Sequence, residues 1–460
     1  MSDDMAAAVE ATGAVPIGLP ARRTLSLLAV WTVVLGNGAA IFWLWAHGTS
    51  GNLSPKDAAD AFTSIARITG LLCASLALIQ VLLLARIPLL ERAVGFDRLS
   101  VWHRWNGHAT VDLLILHVVF SVWGYSLMDK YAIGKEIRTM IWGGVYPGMI
   151  VATIGTVFLI AVVGTSLVIV RRRLPYEWWY AVHFLAYAGI ALGWFHQIPT
   201  GNELVLDTVA ADYWRALYLA TLGFLVVFRV LVPLVAGLAY GLRVTEVVEE
   251  APGVVSLRIA GRRLPKAQPG QFFLWRFLTR DRWWTAHPFS LSQAPDGRSF
   301  RITVKALGDH SEKLASVPVG ARVLAEGPFG VFTEAARRRE RILLVAGGIG
   351  ITPIRALMEQ VRGDAVVLYR VLRDDEVLFR AELAELAERR GIELRVIAGD
   401  HATEEGARLL DADHLRELVP DLGERDVYVC GPPGMTDAML ARLRDAGVPR
   451  RHVHAERFAL

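Results

Sequence analysis

The sequence predicts a multidomain protein: a six-helix transmembrane bundle, then an antiparallel β-barrel, then an α/β domain with an open parallel sheet. Three observations carry this prediction. The chain has 460 residues and is 53% hydrophobic, but its long apolar runs lie in the first half. From about residue 237 the runs become short and alternating, and from about residue 341 buried strand-like runs alternate with helical ones.

Six apolar segments are long enough to cross about 30 Å of hydrocarbon as helices. They cover residues 24–46, 65–87, 102–125, 147–170, 178–198 and 213–236. Six crossings return the chain to its starting side, where ten arginines fall: Arg22, Arg23, Arg86, Arg92, Arg98, Arg104, Arg171, Arg172, Arg173 and Arg243. The other side has five basic residues: Lys56, Arg67, Lys130, Lys135 and Arg138. The positive-inside rule therefore predicts a multi-pass protein of the cell (inner) membrane with both termini in the cytoplasm.

The opening residues and the overall charge narrow the class of protein further. Asp3, Asp4 and Glu10 stand where a signal peptide needs positive charge, so we expect no cleavable signal. Loop arginines near anionic lipid account for the net charge of +4, which therefore gives no indication of nucleic acid binding. With only Cys73 and Cys430, a disulfide framework and a cysteine-based zinc or iron–sulfur site are excluded.

Four histidines stand in two of the apolar segments, His103 and His117 in the third and His183 and His196 in the fifth. The members of each pair are roughly 20 Å apart along a helix axis. Histidine inside a bilayer is costly and usually functional, so the matched set indicates an electron path, with scattered core histidines as the alternative. Two such helices can hold two haems, since neutral imidazole is a standard axial ligand.

Helical periodicity distinguishes these histidines from one another. His103 and His117 share a helix face, whereas His196 is rotated by roughly 140° from His183 on an ideal helix. Either the two haems are rotated relative to each other, or the fifth span is distorted at Gly189 or Gly193. His108 lies about 140° off the His103 face and is interpreted as a structural or haem-propionate-facing residue, not a ligand.

The barrel segment carries a compact motif, residues 287–292, which follows a Pro-Gly-Gln-Phe run and precedes the run 305–311. A glycine and polar residues that open a helix expose backbone N–H groups, which suits a pyrophosphate. The candidate ligand-binding residues of this segment are His287, Pro288, Phe289, Ser290, Lys305, Gly308 and Ser311. An ordinary strand and turn is the alternative.

The last segment has an apolar strand that runs into a glycine-rich turn and a helix. Pro353 is tolerated in the first helical turn because its missing N–H would be unpaired there. The turn and the later Cys-Gly-Pro run give the candidate nucleotide-binding residues Gly347, Gly348, Gly350, Thr352, Pro353, Cys430, Gly431 and Pro432. Arg370 and Arg373 follow the second parallel strand, near where a 2′-phosphate would lie, so we expect NADPH to be preferred over NADH, although Asp374 and Asp375 adjoin.

These motifs, in this order, resemble the ferric reductase and NADPH oxidase superfamily of transmembrane flavocytochromes b. His287 stands where many soluble relatives have arginine, and His-Pro-Phe resembles the membrane-bound branch. The resemblance implies two bis-histidine haems b, with His103 and His183 on the cytoplasmic-side haem and His117 and His196 on the outer one. It also implies FAD along residues 287–292 and Cys430 beside the nicotinamide, with an inert buried thiol as the alternative. Phe458 would shield the flavin, unless it is a plain hydrophobic terminus.

The implied organisation is a cytoplasmic tail (1–23), a haem domain (24–237), an FAD barrel (238–336) and an NAD(P) domain (337–460). The implied function is electron transfer from cytoplasmic NAD(P)H through FAD and two haems to an extracytoplasmic small molecule, dioxygen or ferric chelate. Ser121 stands where oxygen-specialised relatives have histidine, which favours a metal or a broad acceptor. A haem sensor or transport protein with a fused flavoreductase, and a reductase of a periplasmic redox protein, remain alternatives; the sequence requires no protein partner.

Overall fold

A computed structural model describes residues 19–457, apart from 49–51, 168–169, 171–172, 175, 281, 307–308, 401–402, 404–405 and 407. Phe458 and Gly308, both candidate site residues, lie outside the described residues. The chain divides into two compact units, one that ends at Leu231 and one formed by Val232–Leu460.

The first unit is helical. Its helices are α1 (Leu19–His47), α2 (Ala58–Leu83), α3 (Pro88–Val94), α4 (Phe96–Met128), α5 (Ile133–Trp142), α6 (Met149–Ser166), α7 (Tyr176–Thr200), α8 (Asn202–Leu206) and α9 (Thr208–Leu225). A π-helical segment, Val226–Leu231, continues α9 into α10 (Val232–Tyr240), which belongs to the second unit. The first helix thus begins at Leu19, inside the predicted tail.

Among the described residues, five helices are long and apolar enough to cross a membrane: Leu25–His47, Ala58–Leu83, Arg98–Met128, Met149–Ser166 and Thr208–Tyr240. The predicted fifth span coincides with α7, which has 25 residues. Its length suffices, but its tryptophans, tyrosines and two histidines lower its hydropathy. The multi-pass membrane region is confirmed. The crossing by α7, which would bring the number of spans to six, stays a prediction.

Small residues bring the helices of this unit close together. Gly155 of α6 and Gly189 of α7 meet: a Cβ added to either glycine would lie 3.1 Å from the carbonyl oxygen of the other. A Cβ on Gly124 of α4 would meet the backbone nitrogen of Thr63 in α2 at 3.0 Å. Close backbone approach at small residues is typical of helix pairs in membranes. It fixes the register of α4 on α2 and of α7 on α6, and so the depth of every histidine they carry.

The second unit begins with six antiparallel strands: β1 (Arg243–Ala251), β2 (Val254–Ala260), β3 (Phe272–Phe277), β4 (His287–Ser290), β5 (Ser299–Lys305) and β6 (Val323–Phe329). They form two three-stranded sheets, β1-β2-β5 and β4-β3-β6. Isolated bridges join the sheets, Arg243 to Arg322 and Leu291 to Ile302. Their shared core includes Leu257, Phe273, Trp275, Phe300 and Ile302, all at most 1% exposed. The predicted barrel is therefore seen as two bridged antiparallel sheets.

A five-stranded parallel sheet follows, with strands β7 (Arg341–Gly347), β8 (Ala365–Val371), β9 (Glu393–Ala398), β10 (Arg425–Gly431) and β11 (Val453–Arg457). Their order is β11-β10-β7-β8-β9. The helices of this unit are α11 (Asp309–Glu312), α12 (Ile351–Met358), α13 (Arg380–Arg390), α14 (Ala412–Leu418) and α15 (Pro433–Asp445). The strand order reverses between β7 and β10, and the carboxyl ends of strands at such a switch point form a ligand crevice.

Candidate redox sites

His103 of α4 and His183 of α7 face each other, with ring centroids 6.1 Å apart. Metal to imidazole nitrogen bonds are about 2.1 Å long, so two imidazoles on opposite sides of one metal ion have ring centres roughly 6 Å apart. The observed spacing therefore fits two axial ligands of a single iron. Among the described residues no group of three or more His, Cys, Asp or Glu side chains is arranged to hold a metal ion.

His117 and His196 line a common cavity of about 420 Å³ between α2, α4, α6 and α7. The cavity wall also includes Arg67, Ser121 and Gly193. Gly70 of α2 lies against the His117 ring, since a Cβ there would be 2.6 Å from Nδ1. Because glycine has no Cβ, the His117 imidazole can occupy this position at the cavity wall.

The two histidines of α4 are held by backbone carbonyl groups of α2. His103 Nδ1 is 3.1 Å from the carbonyl oxygen of Gln80, and His117 Nδ1 is 2.8 Å from that of Ala66. A carbonyl oxygen only accepts, so both Nδ1 atoms must carry the proton. In the neutral ring Nε2 then has a free lone pair, which is the form that binds iron.

The two histidines of α7 meet hydroxyl groups, whose own hydrogens are engaged elsewhere. Ser166 Oγ donates to the carbonyl of Val162 at 2.7 Å and lies 3.4 Å from His183 Nδ1. Thr200 Oγ1 has two carbonyl acceptors, those of Pro147 at 3.0 Å and of His196, and lies 3.1 Å from His196 Nδ1. A hydroxyl has one hydrogen, and when that hydrogen is given to a carbonyl group the oxygen can accept from Nδ1, an arrangement that leaves Nε2 unprotonated as in the α4 pair.

The structure bears on two further predictions, the shape of the fifth span and the position of His108. The helix is uninterrupted from Tyr176 to Thr200, with Gly189 packed against α6 and Gly193 on the cavity wall. This favours two differently rotated sites over a distorted span. The side chain of His108 is exposed on α4, apart from both histidine pairs.

The candidate flavin residues lie on β4 and at the end of β5. Ser290 is 4% exposed, and its Oγ has no hydrogen-bond partner among the described residues. A buried hydroxyl without a partner costs free energy that a bound polar ligand would recover. His287 and Phe289 are half-buried with ring centroids 6.2 Å apart, and Pro288 is exposed between them. Lys305 is exposed at the end of β5, and Ser311 lies in the four-residue helix α11.

The glycine-rich turn joins β7 to α12 at the switch point. Gly348 has φ +51°, a conformation that favours glycine. A Cβ on Gly350 would collide with the carbonyl group of Cys430, and one on Gly347 with Met435 Sδ. Thr352, 2% exposed, donates from Oγ1 to the carbonyl of Ile349 at 3.0 Å, and Pro353 follows in the first turn of α12. The glycines thus let β7, α12 and β10 meet at the crevice.

The Cys-Gly-Pro turn ends β10 beside that crevice. Cys430 is fully buried, and burial raises the pKa of its thiol, so the group is neutral at physiological pH. Gly431 accepts a hydrogen bond from Thr436 Oγ1 at 3.2 Å, and Pro432 precedes α15. Glu456 pairs with Cys430 in the β10–β11 register. Sequence reasoning missed this carboxyl group; its only signal was its position two residues before Phe458.

The two predicted phosphate-binding arginines occupy different environments. Arg370, at the end of β8, donates from Nη1 to the carbonyls of Val371 at 2.6 Å and Ile397 at 3.2 Å. Arg373 is exposed and pairs with Asp375 at 3.2 Å and Glu376 at 2.8 Å. Arg373 would therefore have to give up its ion pairs with Asp375 and Glu376 before its guanidinium group could bind a phosphate.

Three family models match consecutive parts of the chain. The ferric reductase like transmembrane component matches residues 69–194, the FAD-binding domain matches 242–333, and the oxidoreductase NAD-binding domain matches 344–440. The protein belongs to the ferric reductase and NADPH oxidase superfamily. Members of this superfamily combine a membrane helical region with FAD and NAD(P) domains, so this one is a transmembrane NAD(P)H-dependent oxidoreductase and a flavoprotein.

Three similar proteins each align with less than half of this chain. The probable dihydroorotate dehydrogenase B (NAD(+)) electron transfer subunit of Methanopyrus kandleri is 31% identical over 204 residues, 44% of this chain and 73% of the relative. Ferredoxin–NADP reductase B of Sorangium cellulosum is 31% identical over 188 residues, 37% and 77% respectively. The 3-ketosteroid-9-alpha-monooxygenase ferredoxin reductase component of Mycolicibacterium smegmatis is 32% identical over 234 residues, 47% of this chain but only 65% of the relative.

Proposed function

We propose that the protein moves electrons from cytoplasmic NAD(P)H, through FAD and two bis-histidine haems b, to a small-molecule acceptor across the membrane. The observation that carries the proposal is the hydrogen bonding of the four histidines. His103 and His117 give Nδ1–H to carbonyl groups of α2, His183 and His196 have a hydroxyl group 3.4 and 3.1 Å from Nδ1, and the His103 and His183 rings face each other with centroids 6.1 Å apart. The proposal assigns residues 24–237 to the haems, 238–336 to FAD and 337–460 to NAD(P)H.

In this proposal His103 and His183 hold the cytoplasmic-side haem, and His117 and His196 the outer one. Six-coordinate haem iron supplies one-electron transfer and leaves no coordination position for dioxygen. The hydrogen bonds from Nδ1 orient each ring and make Nε2 a better ligand. Apolar residues of α2, α4, α6 and α7 exclude water from the same sites.

The second unit would bind the flavin and the nucleotide. Ser290 offers a buried hydroxyl to FAD, and the Gly347–Gly350 turn lets a nucleotide phosphate approach backbone N–H groups. Cys430 and Glu456 stand beside that turn, where a neutral thiol and a carboxyl group would contact the nicotinamide. Bound FAD would supply the change from two-electron to one-electron chemistry that links a nicotinamide donor to haems.

The acceptor is proposed to be ferric chelate or dioxygen, with ferric chelate favoured. Ser121 lines the wall of the outer cavity at the position where a histidine would favour dioxygen as the acceptor. Arg67 also lines this wall and brings a positive charge to it. A guanidinium group attracts an anionic chelate.

A dithionite-reduced minus oxidised spectrum of the purified protein, with haem counted per polypeptide, tests the proposal. We expect two low-spin haems b. One haem, or a high-spin spectrum, would contradict the proposal and favour a sensor or transport protein with a fused reductase.

A further inference from the structure

The loop between β3 and β4, residues 278–286 apart from Asp281, which lies outside the described residues, presents apolar side chains to the outside of the second unit. We call it the tryptophan loop. Leu278 is 39% exposed, Trp283 60% and Trp284 39%. Exposed tryptophans on one loop are unusual for a soluble surface, and clustered exposed apolar groups mark interaction sites.

Hydrogen bonds fix where this loop lies. The backbone N–H of Leu278 donates to the carbonyl of Arg322 at 2.8 Å, and Arg322 forms a bridge with Arg243. The neighbouring Val323 donates to the carbonyl of Leu242 at 2.9 Å. Leu242 and Arg243 come directly after α10, which ends at Tyr240. The tryptophan loop therefore begins at the end of the barrel where α10 stops.

That end of the barrel is the one from which α10 leads into a candidate span. The span Thr208–Tyr240 is long and apolar enough to cross a membrane and includes α10, so the chain would leave the bilayer on the Tyr240 side. Arg262 caps this helix: its Nη2 donates to the carbonyl of Leu238 at 2.8 Å, and its backbone N–H to that of Tyr240 at 2.9 Å.

Positive charge surrounds the same end. Five exposed arginines stand there: Arg243, Arg262, Arg263, Arg280 and Arg322. The exposed acids of β1 begin at Glu246 and continue along the strand away from α10. Among the described residues named here, the exposed charge at the α10 end is therefore positive, which is complementary to an anionic surface.

Hydrogen bonds from two arginines hold the tryptophan loop in its conformation. Arg276 Nη1 donates to the carbonyl of Trp283 at 3.3 Å. Arg282 is 8% exposed, and its Nη2 donates to Ser316 Oγ at 3.1 Å. These contacts leave the Trp283 ring directed outward without requiring the loop to rearrange.

We propose that the tryptophan loop is a membrane-interface anchor, with Trp283 and Trp284 seated among lipid headgroups and the arginines bound to anionic lipid phosphates. Tryptophan favours the bilayer interface because its ring is apolar while its N–H can still bind water or headgroups. Basic residues beside a span are attracted to anionic lipid. The anchor would restrict the movement of the FAD-binding strands relative to the bilayer.

The test uses the full chain in bilayer discs of phosphatidylcholine, alone or mixed equally with phosphatidylglycerol. Trp283→Cys and, separately, Leu278→Cys are labelled with a nitroxide; Cys73 and Cys430 are buried and remain unlabelled. Val248→Cys on β1, an exposed position away from α10, is the control.

We expect the two loop labels to collide more with lipid-soluble oxygen than with an aqueous nickel chelate in the mixed discs. The preference should weaken several-fold without phosphatidylglycerol and after Arg280→Gln with Arg322→Gln. The Val248 label should favour the nickel chelate throughout. Loop labels that favour the nickel chelate in both lipids, or that are shielded from both reagents because the loop packs on protein, would overturn the proposal.

Discussion

Which ring nitrogen is free decides which histidines can bind iron. His117 and His196 line one cavity, and each has Nδ1 within hydrogen-bond distance of a neighbouring oxygen, whereas His108 is exposed elsewhere on α4. We expect His117→Ala or His196→Ala to remove one of two haems, and His108→Ala to remove none. Pyridine haemochrome quantification per polypeptide measures this, and equal losses from all three variants would refute the assignment.

The ionisation of Asp426 affects the stability of the fold. Burial alone would raise the pKa of its carboxyl, but contacts with His454, the backbone N–H of Arg338 and His452 outweigh burial and hold the pKa at about 2. The carboxyl accepts from His452 Nδ1 at 2.8 Å and from the N–H of Arg339 at 3.1 Å. It thus ties the start of β10 to β11 and to the segment before β7.

The sign of the shift sets the pH window. A folded pKa below the ordinary 3.8 stabilises the fold above about pH 4, by about 2 kcal/mol, and this is lost as pH falls toward 2. Asp426→Asn should therefore lower the unfolding temperature at pH 7, with the deficit shrinking below pH 4. Thermal unfolding across pH checks this; Asp413→Asn, an 89% exposed side chain, should change nothing at any pH. A deficit independent of pH would contradict the role of the charge.

At this scale the sequence predicts four histidine ligands from their matched spacing on two apolar segments, and their role as ligands stays a prediction. The hydrogen bonds that orient their rings could not be predicted. The acceptors Gln80 and Ala66 lie on α2, and their alignment with α4 depends on close packing at positions such as Gly70 and Gly124. Glu456 is missed for a similar reason, since only the pairing of β10 with β11 brings it to Cys430.

Between elements, the approach of α2 to α4 sets the outer histidine. A methyl group on Gly70 would stand 2.6 Å from His117 Nδ1, whereas a Cβ on Gly38 of α1 meets nothing within 4 Å. We expect Gly70→Ala to displace the imidazole and remove about one haem per polypeptide, and Gly38→Ala to keep two. Haem quantification with a check of folded yield measures this. Full haem content in Gly70→Ala would contradict the placement of α2 against His117.

The end of β8 carries the nucleotide prediction. Arg373 is exposed next to its acidic partners Asp375 and Glu376, while Arg370 is bound to backbone carbonyls. We expect Arg373 to recognise a 2′-phosphate, so kcat/KM should favour NADPH about tenfold, roughly the effect of 1.4 kcal/mol of charge-assisted hydrogen bonding. Arg373→Gln should remove the preference. Comparable kcat/KM for both nucleotides in the unaltered protein would refute it.

Element types are predicted from periodicity with uneven success. The alternating run 300–304 becomes β5 and the helical run 380–390 becomes α13 with its predicted bounds. The short strands of the barrel give no indication of how its sheets close, because closure depends on pairings between distant strands, such as Leu291 with Ile302. The fifth span is ambiguous by composition because the residues that give α7 its proposed role, histidine above all, also make it less apolar.

On the scale of the whole molecule, the account joins a helical unit with paired histidines to a unit with two nucleotide-binding folds. The four histidines are the only proposed link from the flavin to the far side of the bilayer. In this proposal, reduction of a dye on the cytoplasmic side would need the second unit alone, whereas reduction across the membrane would need both. The two activities can therefore be separated by one substitution.

The most direct test of the central claim is electron transfer into vesicles by the His103→Ala protein, with NADPH outside, beside the second unit, and ferric chelate trapped inside. We predict that reduction of an external dye stays near the level of the unaltered protein while reduction of the trapped chelate falls at least a hundredfold. His108→Ala should retain both activities. Undiminished reduction of the trapped chelate by His103→Ala would show that electrons cross without the histidine pairs, and would contradict the account.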